Sequence, residues 1–466
     1  MKLVMKFGGS SIADGKKLRA AAGIVAQNIK EGNKVIVVVS ALANVTDQLI
    51  EIGEAITGRE RALIENIRAL SERHRRETEV AIADPAIRKG TLEEIEELSQ
   101  ELQNIPLNAA KLKELTPRTK DYLLSFGERL STAMFCGVLR DLGLSAQWFT
   151  GEKAGIVTDD RFGSAQPLMK MTTYEATETL GPLLEKNIIP VVSGFIGATP
   201  EGVTTTLGRG GSDYTATILA SALGADEVWI WTDVDGLMTA DPRVEPLART
   251  IAIISYAEAI EMAYFGAKGM RPKALEPAAE KGIPVHVKNT FDPEGLGTLI
   301  VREQFVKGRD IVKAVALVED VAIVTVSGAG MAGTPGVAAS VFSLLGQNQV
   351  NIMMISQSSS EASISFVIPE RDLVRAVNAL EIGLLGKGTV KEIMAEENVY
   401  IVAVVGAGMK GTPGVAARTF KAVADQGVNI RMIAQGSSEL NISFVVRAED
   451  GIKAVRTLHR EFGLDR

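Results

Sequence analysis

The sequence predicts an α/β sandwich followed by two small ferredoxin-like repeats, and three observations carry that expectation. Up to about residue 300, short β-rich runs alternate with longer helical ones. Beyond about residue 320 the chain repeats itself, with Gly328 recurring as Gly406, Asn351 as Asn429 and Gln357 as Gln435 at one constant offset. With 46% hydrophobic and 23% charged residues, the composition is that of an ordinary globular protein able to bury several cores.

The elements follow in order. KLVMKF at 2–7 reads as a strand, and the helix after it carries Leu18, Ala22 and Val25 on one face. KVIVVVSA is the next strand, followed by a long charged helical segment from about 46 to 138. IIPVVSGFIG, a helix from Asp213 to Leu223, DEVWIWTDV, a helix from Ser255 to Phe265, and IPVHVKNT complete the series. Strands that alternate with helices imply a mainly parallel sheet covered on both faces. The run ERHRRETE at 72–79 reads as the solvated face of an amphipathic helix, not as a phosphate site. His286 and His459 lack the paired spacing that zinc requires, so no metal site is expected from protein ligands alone.

In the repeats, VAIVTVSGAGMAGTPGVAASVF returns as VYIVAVVGAGMKGTPGVAARTF, and VNIMMISQSSSEASISFVI as VNIRMIAQGSSELNISFVV. Each copy reads strand, loop, helix, strand, strand, helix. GAGMAG imitates a dinucleotide fingerprint, but such a fold needs further parallel strands after the glycines. Here NIMMIS is followed at once by a short turn and ASISFVI, which leaves a dinucleotide-binding oxidoreductase as the disfavoured alternative. The glycines instead let a tight loop approach a ligand or a partner backbone. The second copy ends on a helix, and an unpaired edge is a liability, so IVKAVALV at 311–318 is expected to complete its sheet. The expected domains are therefore 1–305, 319–390 and 391–466.

Net charge of −7, without a Lys/Arg cluster, makes nucleic acid an unexpected partner. Cys136, alone in TAMFCGVL, suits a packed core thiol and a reducing compartment. Because KLVMKF opens the chain as a strand and no apolar run reaches about 18 residues, neither a signal peptide nor a membrane span is expected, and a cytoplasmic location is. Nor is a fused dehydrogenase expected within these 466 residues.

Three clusters at strand ends carry chemistry. KFGGSS at 6–11 places Lys6 on a strand before Gly8, Gly9 and Ser10, the pattern of a lysine and backbone amides facing anionic oxygens, although turn glycines produce similar strings. In TTTLGRGGSDYTAT at 204–217, Arg209 can hold a carboxylate bidentately, while Ser212 and Asp213 open a helix, with a plain N-cap as the alternative role of Asp213. WTDVDGLMTADPR at 231–243 brings Asp233, Asp235 and Asp241 into a turn-rich segment that either grips a metal–nucleotide or is a plain turn. SFGERLS at 125–131 adds Glu128 and Arg129, which at helical spacing also fit a surface pair.

In this order KFGGSS, VVVSA, SFGERLS, TTTLGRGGSDYTA, WTDVDG, DPR, GAK, EPA and GIPVHVKNT resemble the aspartokinases over nearly the whole chain. The resemblance implies a three-layer amino-acid kinase fold with two C-terminal ACT domains. It implies transfer of the ATP γ-phosphoryl group, with Mg2+, to the side chain of L-aspartate, at the head of lysine, threonine and methionine biosynthesis. A kinase for another carboxylate, such as a glutamate derivative, is the nearer alternative. By resemblance Lys6 stabilises the moving phosphoryl group, Gly8, Gly9 and Ser10 approach the nucleotide, and Ser40, Thr46 and Ser212 line the substrate side. Glu128 meets the substrate ammonium, Arg209 its α-carboxylate, and Asp213 organises Lys6. Thr232, Asp233, Arg243 and Lys268 match nucleotide-contacting positions. Met238 and the pair Arg271–Pro272 depart from the family pattern near the expected nucleotide pocket. For the ACT pair the resemblance implies an amino-acid effector at Gly330, Met331, Gly333, Asn351 and Gln357, with Asn429 and Gln435 in the second copy. MAGTPG with NIMMISQSSSE is closer to the threonine-inhibited branch than to the lysine-inhibited one, and assembly into a dimer or tetramer through ACT edges is expected.

Overall fold

The computed structural model describes residues 1–57, 60–265, 271–302, 311–386 and 388–466. Two compact units result. The first holds Met1–Leu237, Ala252–Tyr256 and residues 271–302; the second holds Met238–Ile251, residues 257–265 and the described chain from 311 onward.

The first unit begins with β1 (Lys2–Phe7), α1 (Gly15–Lys30), β2 (Lys34–Val39), α2 (Val45–Glu54), α3 (Glu60–Ala81), α4 (Pro85–Leu112) and α5 (Pro117–Asp141). It continues through β3 (Ala146–Phe149), α6 (Met169–Glu185), β4 (Ile189–Ser193), the hairpin β5 (Ile196–Ala198) and β6 (Thr204–Thr206), α7 (Gly211–Leu223) and β7 (Glu227–Thr232). After β8 (Ile253–Ser255) and α8 (Tyr256–Tyr264), which enters the second unit, come α9 (Pro272–Lys281), β9 (Val285–Asn289) and β10 (Thr298–Val301). The sheet order is β3-β4-β2-β1-β7-β9-β10-β8, parallel except where β10 meets β9. Leu3, Met5 and Phe7 pack into the core shared with α1, α3, α4 and α5. By strand alternation Val4 and Lys6 face the opposite layer, where α7 lies. Helices cover both faces, giving a three-layer α/β sandwich.

The run at 72–79 is only partly solvated, which corrects the sequence expectation. Arg75 and Arg76 are exposed and pair with Glu72, Glu79 and Glu77, but His74 is fully buried. Its Nδ1–H donates to the Leu70 carbonyl at 2.8 Å, and burial holds the imidazole down to about 4. Cys136 is a buried free thiol, pushed up to about 12 by desolvation, and so is inert.

The second unit carries β11 (Ala314–Ser327), α10 (Val337–Gln347), β12 (Met354–Gln357), β13 (Ser363–Pro369) and α11 (Leu373–Leu384), then β14 (Glu392–Val405), α12 (Val415–Asp425), β15 (Met432–Ala434), β16 (Asn441–Arg447) and α13 (Ala448–Glu461). Its antiparallel order is β12-β13-β11-β14-β16-β15. At 14 residues each, β11 and β14 are long enough to serve both repeats. Ala314–Val318 pairs with Ile401–Val405 of the second copy, and Ile323–Ser327 pairs with Glu392–Glu396. Register shifts between Val318 and Ile323, with Asp320 and Asn398 at φ 55° and 57°, turn each strand from one repeat into the other. A boundary at 390/391 therefore falls short, because Glu392–Glu396 belong to the first copy's sheet.

The boundary at 305 also differs from the sequence expectation. Met238–Ile251 joins the second unit because Val315 N–H donates to Thr239 O at 2.8 Å, Thr239 Oγ1 meets His459 Nε2 at 2.9 Å, and Ala240 is part of the second repeat's core. In α8, Glu258 accepts the Ala407 amide at 2.6 Å and Glu261 accepts the Asn441 side chain.

Candidate active site

The C-terminal ends of β1, β2 and β4 and the start of α7 open onto a cleft of about 820 Å³ lined by Lys6, Ser40, Thr46, Glu128, Arg209 and Asp213, among others. Open parallel sheets bind ligands at this edge. Lys6 Nζ lies 2.5 Å from Asp213 Oδ1, both side chains being about one-tenth exposed. Asp213 is not the helix cap: that position is Gly210 at φ 74°, with no side-chain capping bond, and Asp213 in the first turn is free to face Lys6.

Glycines let the backbone close round this pair. A Cβ at Gly9 would lie 2.8 Å from the Ala41 carbonyl oxygen, so the β1 and β2 loops can touch only because residue 9 has no side chain. Gly8 N–H donates to Trp231 O at 3.1 Å. A Cβ at Gly194 would lie 2.6 Å from Ser212 Cβ, which fixes the start of α7 against the end of β4.

Glu128 is the other marked group. It is 4% exposed, its Oε2 has no hydrogen-bond partner among the described residues, and desolvation pushes its carboxyl up to about 8 against the Ala41 amide and Lys6, which favour the anion. The surface-pair alternative fails because Arg129 turns away, meeting Glu101 at 2.7 Å and stacking over Phe126 at 4.1 Å. Ser131 Oγ donates to Ser40 O at 2.6 Å and ties α5 to the β2 loop.

Gly9 and Ser212 also line the cleft; in the turn after β1 a Cβ at Gly8 would lie 3.4 Å from Lys6 Nζ, and Ser10 starts a short 3₁₀ turn. Thr232 ends β7, and its Oγ1 donates to Asp233 Oδ1 at 3.2 Å. Arg243 belongs to the second unit, where it pairs with Asp241 at 2.6 Å, and Met238 accepts from Thr250 there. Lys268 lies outside the described residues.

Among the effector positions, Met331 is only 3% exposed and packs in the first repeat's core, so its side chain cannot read a ligand and only its backbone is available. Gly333 N–H donates to Glu361 at 3.0 Å, while Gly330 sits in the turn Ala329–Met331. Asn351, Gln357, Asn429 and Gln435 are exposed.

Sequence reasoning missed Asp121 and Phe195, which line the cleft; Arg271, singled out in the sequence as a departure from the family pattern near the nucleotide pocket, lines it too. Asp121 is 1% exposed and accepts from Thr206 N–H at 2.8 Å, Thr206 Oγ1 at 2.9 Å and Gly163 N–H at 2.9 Å. It stands two helical turns before Glu128, a spacing that would have put both acids on one face of α5. Phe195 holds φ at 68°, rare for a bulky residue and common at functional sites.

Residues 1–289 match the amino acid kinase family, and residues 324–382 and 402–462 match the ACT domain. Aspartokinase 1 of Arabidopsis thaliana is 33% identical over 468 residues, covering 98% of this chain and 80% of that protein. The chain belongs to the aspartokinases. Another member, the bifunctional aspartokinase/homoserine dehydrogenase 1 of Arabidopsis thaliana, is 34% identical over 99% of this chain, which spans about half of that relative's length (51%). Among solved structures of the family, aspartokinase III of E. coli is 34% identical and covers 99% of both chains. Its R-state complex with aspartate and ADP has a TM-score of 0.83, and its T-state complex with lysine and aspartate 0.81. No described helix is long and apolar enough to cross a membrane.

Proposed function

We propose that the chain transfers the γ-phosphoryl group of ATP to the side-chain carboxylate of L-aspartate, giving 4-phospho-L-aspartate and ADP. The observation that carries this reading is the Lys6–Asp213 ion pair in the same cleft as Arg209 and the buried Glu128, whose Oε2 has no hydrogen-bond partner among the described residues. A lysine, an arginine and one acid with a carboxylate oxygen left over are what an acceptor with two carboxylates and one ammonium calls for. The E. coli complex with aspartate and ADP supports the same pair of ligands.

The acceptor carboxylate is ionised at neutral pH, so no strong base is needed, and catalysis reduces to aligning two anions and offsetting their repulsion. Arg209 holds the α-carboxylate, and Glu128, once ionised, takes the ammonium. Ser40, Thr46 and Ser212 line the substrate side. A side-chain oxygen then attacks the γ-phosphorus, the bond to the β–γ bridging oxygen breaks, and ADP leaves with that oxygen. Lys6, held by Asp213, faces the phosphoryl group as charge shifts through it. Mg2+, brought in with the nucleotide, would neutralise part of the phosphate charge. Among the described residues no group of three or more His, Cys, Asp or Glu side chains is arranged to hold a metal. Gly8, Gly9, Ser10, Thr232 and Asp233 remain the nucleotide-side candidates, together with Arg243 and Lys268.

The ACT pair takes an amino-acid effector in this reading. Threonine is favoured by MAGTPG and NIMMISQSSSE, and lysine is second, with support from the lysine-bound E. coli structure. The first copy is the better site, because in the second loop the Ala407 amide is taken by Glu258. A homo-oligomer is supported by Ile355 and Ile433, exposed on the outer strands β12 and β15. One experiment tests catalyst and switch together: ADP release with aspartate and with glutamate derivatives, with and without millimolar threonine or lysine. Turnover only with a substrate other than aspartate would overturn the catalytic reading, and indifference to threonine the effector choice.

A further inference from the structure

The charge run on α3 does more than solvate a helix face. Arg73 Nη1 donates to Ala43 O at 2.9 Å and Nη2 donates to Ala13 O at 3.1 Å, so one guanidinium joins the loop after β2 to the loop after β1. Four residues on, Glu77 accepts the Gly15 amide at 2.9 Å, and Gly15 approaches α3 so closely that a Cβ would lie 2.5 Å from Glu77 O. The helix is itself anchored: His74 is buried, Thr78 Oγ1 donates to His74 O at 2.7 Å, and Leu63, Ile67 and Leu70 pack in the main core.

The two loops tied by Arg73 are those that carry the chemistry. Ala43 lines the cleft, and its neighbour Asn44 holds φ at 67°, a conformation an L-residue seldom keeps without support. Gly9 packs against Ala41 O and Ala43 N, so a shift of either loop is passed to the other, and through β1 to Lys6.

We propose that Arg73 is a positioning residue for phosphoryl transfer, holding the β2 loop that bears Ser40 and Thr46 in register with the Lys6–Gly9 turn from outside the cleft. This rests on the reading of the cleft given above. A fork of donors suits two carbonyls at once, whereas a lysine ammonium can satisfy one of them well. Because Ala43 lines the cleft on the acceptor side and Ala13 does not, the acceptor is the substrate affected first.

The test is steady-state kinetics of the full chain with Arg73→Ala and Arg73→Lys, together with amide hydrogen exchange over residues 8–15 and 40–48. Arg73→Ala should lower kcat/KM for aspartate by about 10- to 100-fold, the cost of a loop misplaced by up to about 1 Å. The aspartate KM should rise about 5-fold or more while the ATP KM moves less than about 2-fold; Arg73→Lys should fall between, and millimolar methylguanidine should partly restore Arg73→Ala. Exchange should quicken in both loops and nowhere else. A merely structural role would lower kcat in step with the folded fraction, leave both KM values alone and show no rescue, and that result overturns the proposal. Should Arg73→Ala fail to fold, Arg73→Lys carries the same comparison. If the wild type does not turn over aspartate, the catalytic reading fails, and unchanged exchange in the two loops then disposes of the positioning role independently.

Discussion

Lys6 Nζ and Asp213 Oδ1 stand 2.5 Å apart, which couples the end of the central strand to the first turn of α7. Neither residue can be judged alone, since removing Asp213 leaves Lys6 charged but unheld. Lys6→Met should lower kcat by about 10²- to 10³-fold, the usual loss for a group that stabilises transition-state charge. Asp213→Asn should cost about 10-fold or more through the misplaced lysine, and the double variant should be little worse than Lys6→Met. Additive losses in an ADP-release assay would show that the two act separately.

Glu128 makes the cleft pH-sensitive. Burial raises its carboxyl to about 8, so near neutral pH the free protein mostly holds it protonated, whereas a substrate ammonium needs the anion. The aspartate KM should therefore fall as pH rises from 6.5 to 8.5, and Glu128→Gln should abolish that trend while raising KM throughout. The same group acts on stability with a definite sign. The unfolded chain releases this proton near 4.5 and the folded chain only near 8, so between those values the folded state binds more protons and stability falls as pH rises. Glu128→Gln should accordingly raise Tm more at pH 8.5 than at pH 5, by scanning calorimetry. An equal shift at both pH values would contradict the assignment.

Arg209 tests the geometry of recognition rather than its charge. Arg209→Lys keeps the cation but loses the planar pair of donors that matches a carboxylate. It should raise the aspartate KM by about 10-fold or more and lower kcat less, with ADP affinity by calorimetry unchanged. A kcat-only effect would move Arg209 from the acceptor to the phosphoryl group.

Much of the order of strands and helices, and the duplication, were open to sequence reading because alternation, helical periodicity and repetition are local patterns, whereas β3, α6, α9 and β10 were not read. Lys6, Gly9, Arg209 and Asp213 were equally visible, since glycine-flanked charges at strand ends are a local signal too. The burial of His74 was not. Its neighbours Arg75 and Arg76 dominate the composition of the run, and only the packing of α3 reveals that positions 70, 74 and 78 turn inward. Asp121 escaped because its role is to accept amides from Gly163 and Thr206, partners remote in sequence. Arg243 was visible in DPR, but its membership of the second unit was not, because that follows from hydrogen bonds linking Thr239 to Val315 and His459. Contacts between distant segments decide such cases, and no window of sequence contains them.

Strand exchange in the repeats gives the last prediction. Val321–Ser327 pairs with β13 of its own copy on one side, but on the other Ile323–Ser327 needs Glu392–Glu396. A chain ended at residue 390 would lose that partner and also strand Ala314–Val318, whose pairing residues are Ile401–Val405. Two open edges rich in Val and Ala would then face solvent, the arrangement that promotes edge-to-edge association. Residues 311–390 alone should therefore be aggregated or unfolded by circular dichroism and light scattering, whereas residues 311–466, which contain both exchanged strands, should give a soluble antiparallel sheet. A monomeric, cooperatively folding 311–390 fragment would mean that each repeat closes its own sheet and that the exchange contributes little to stability.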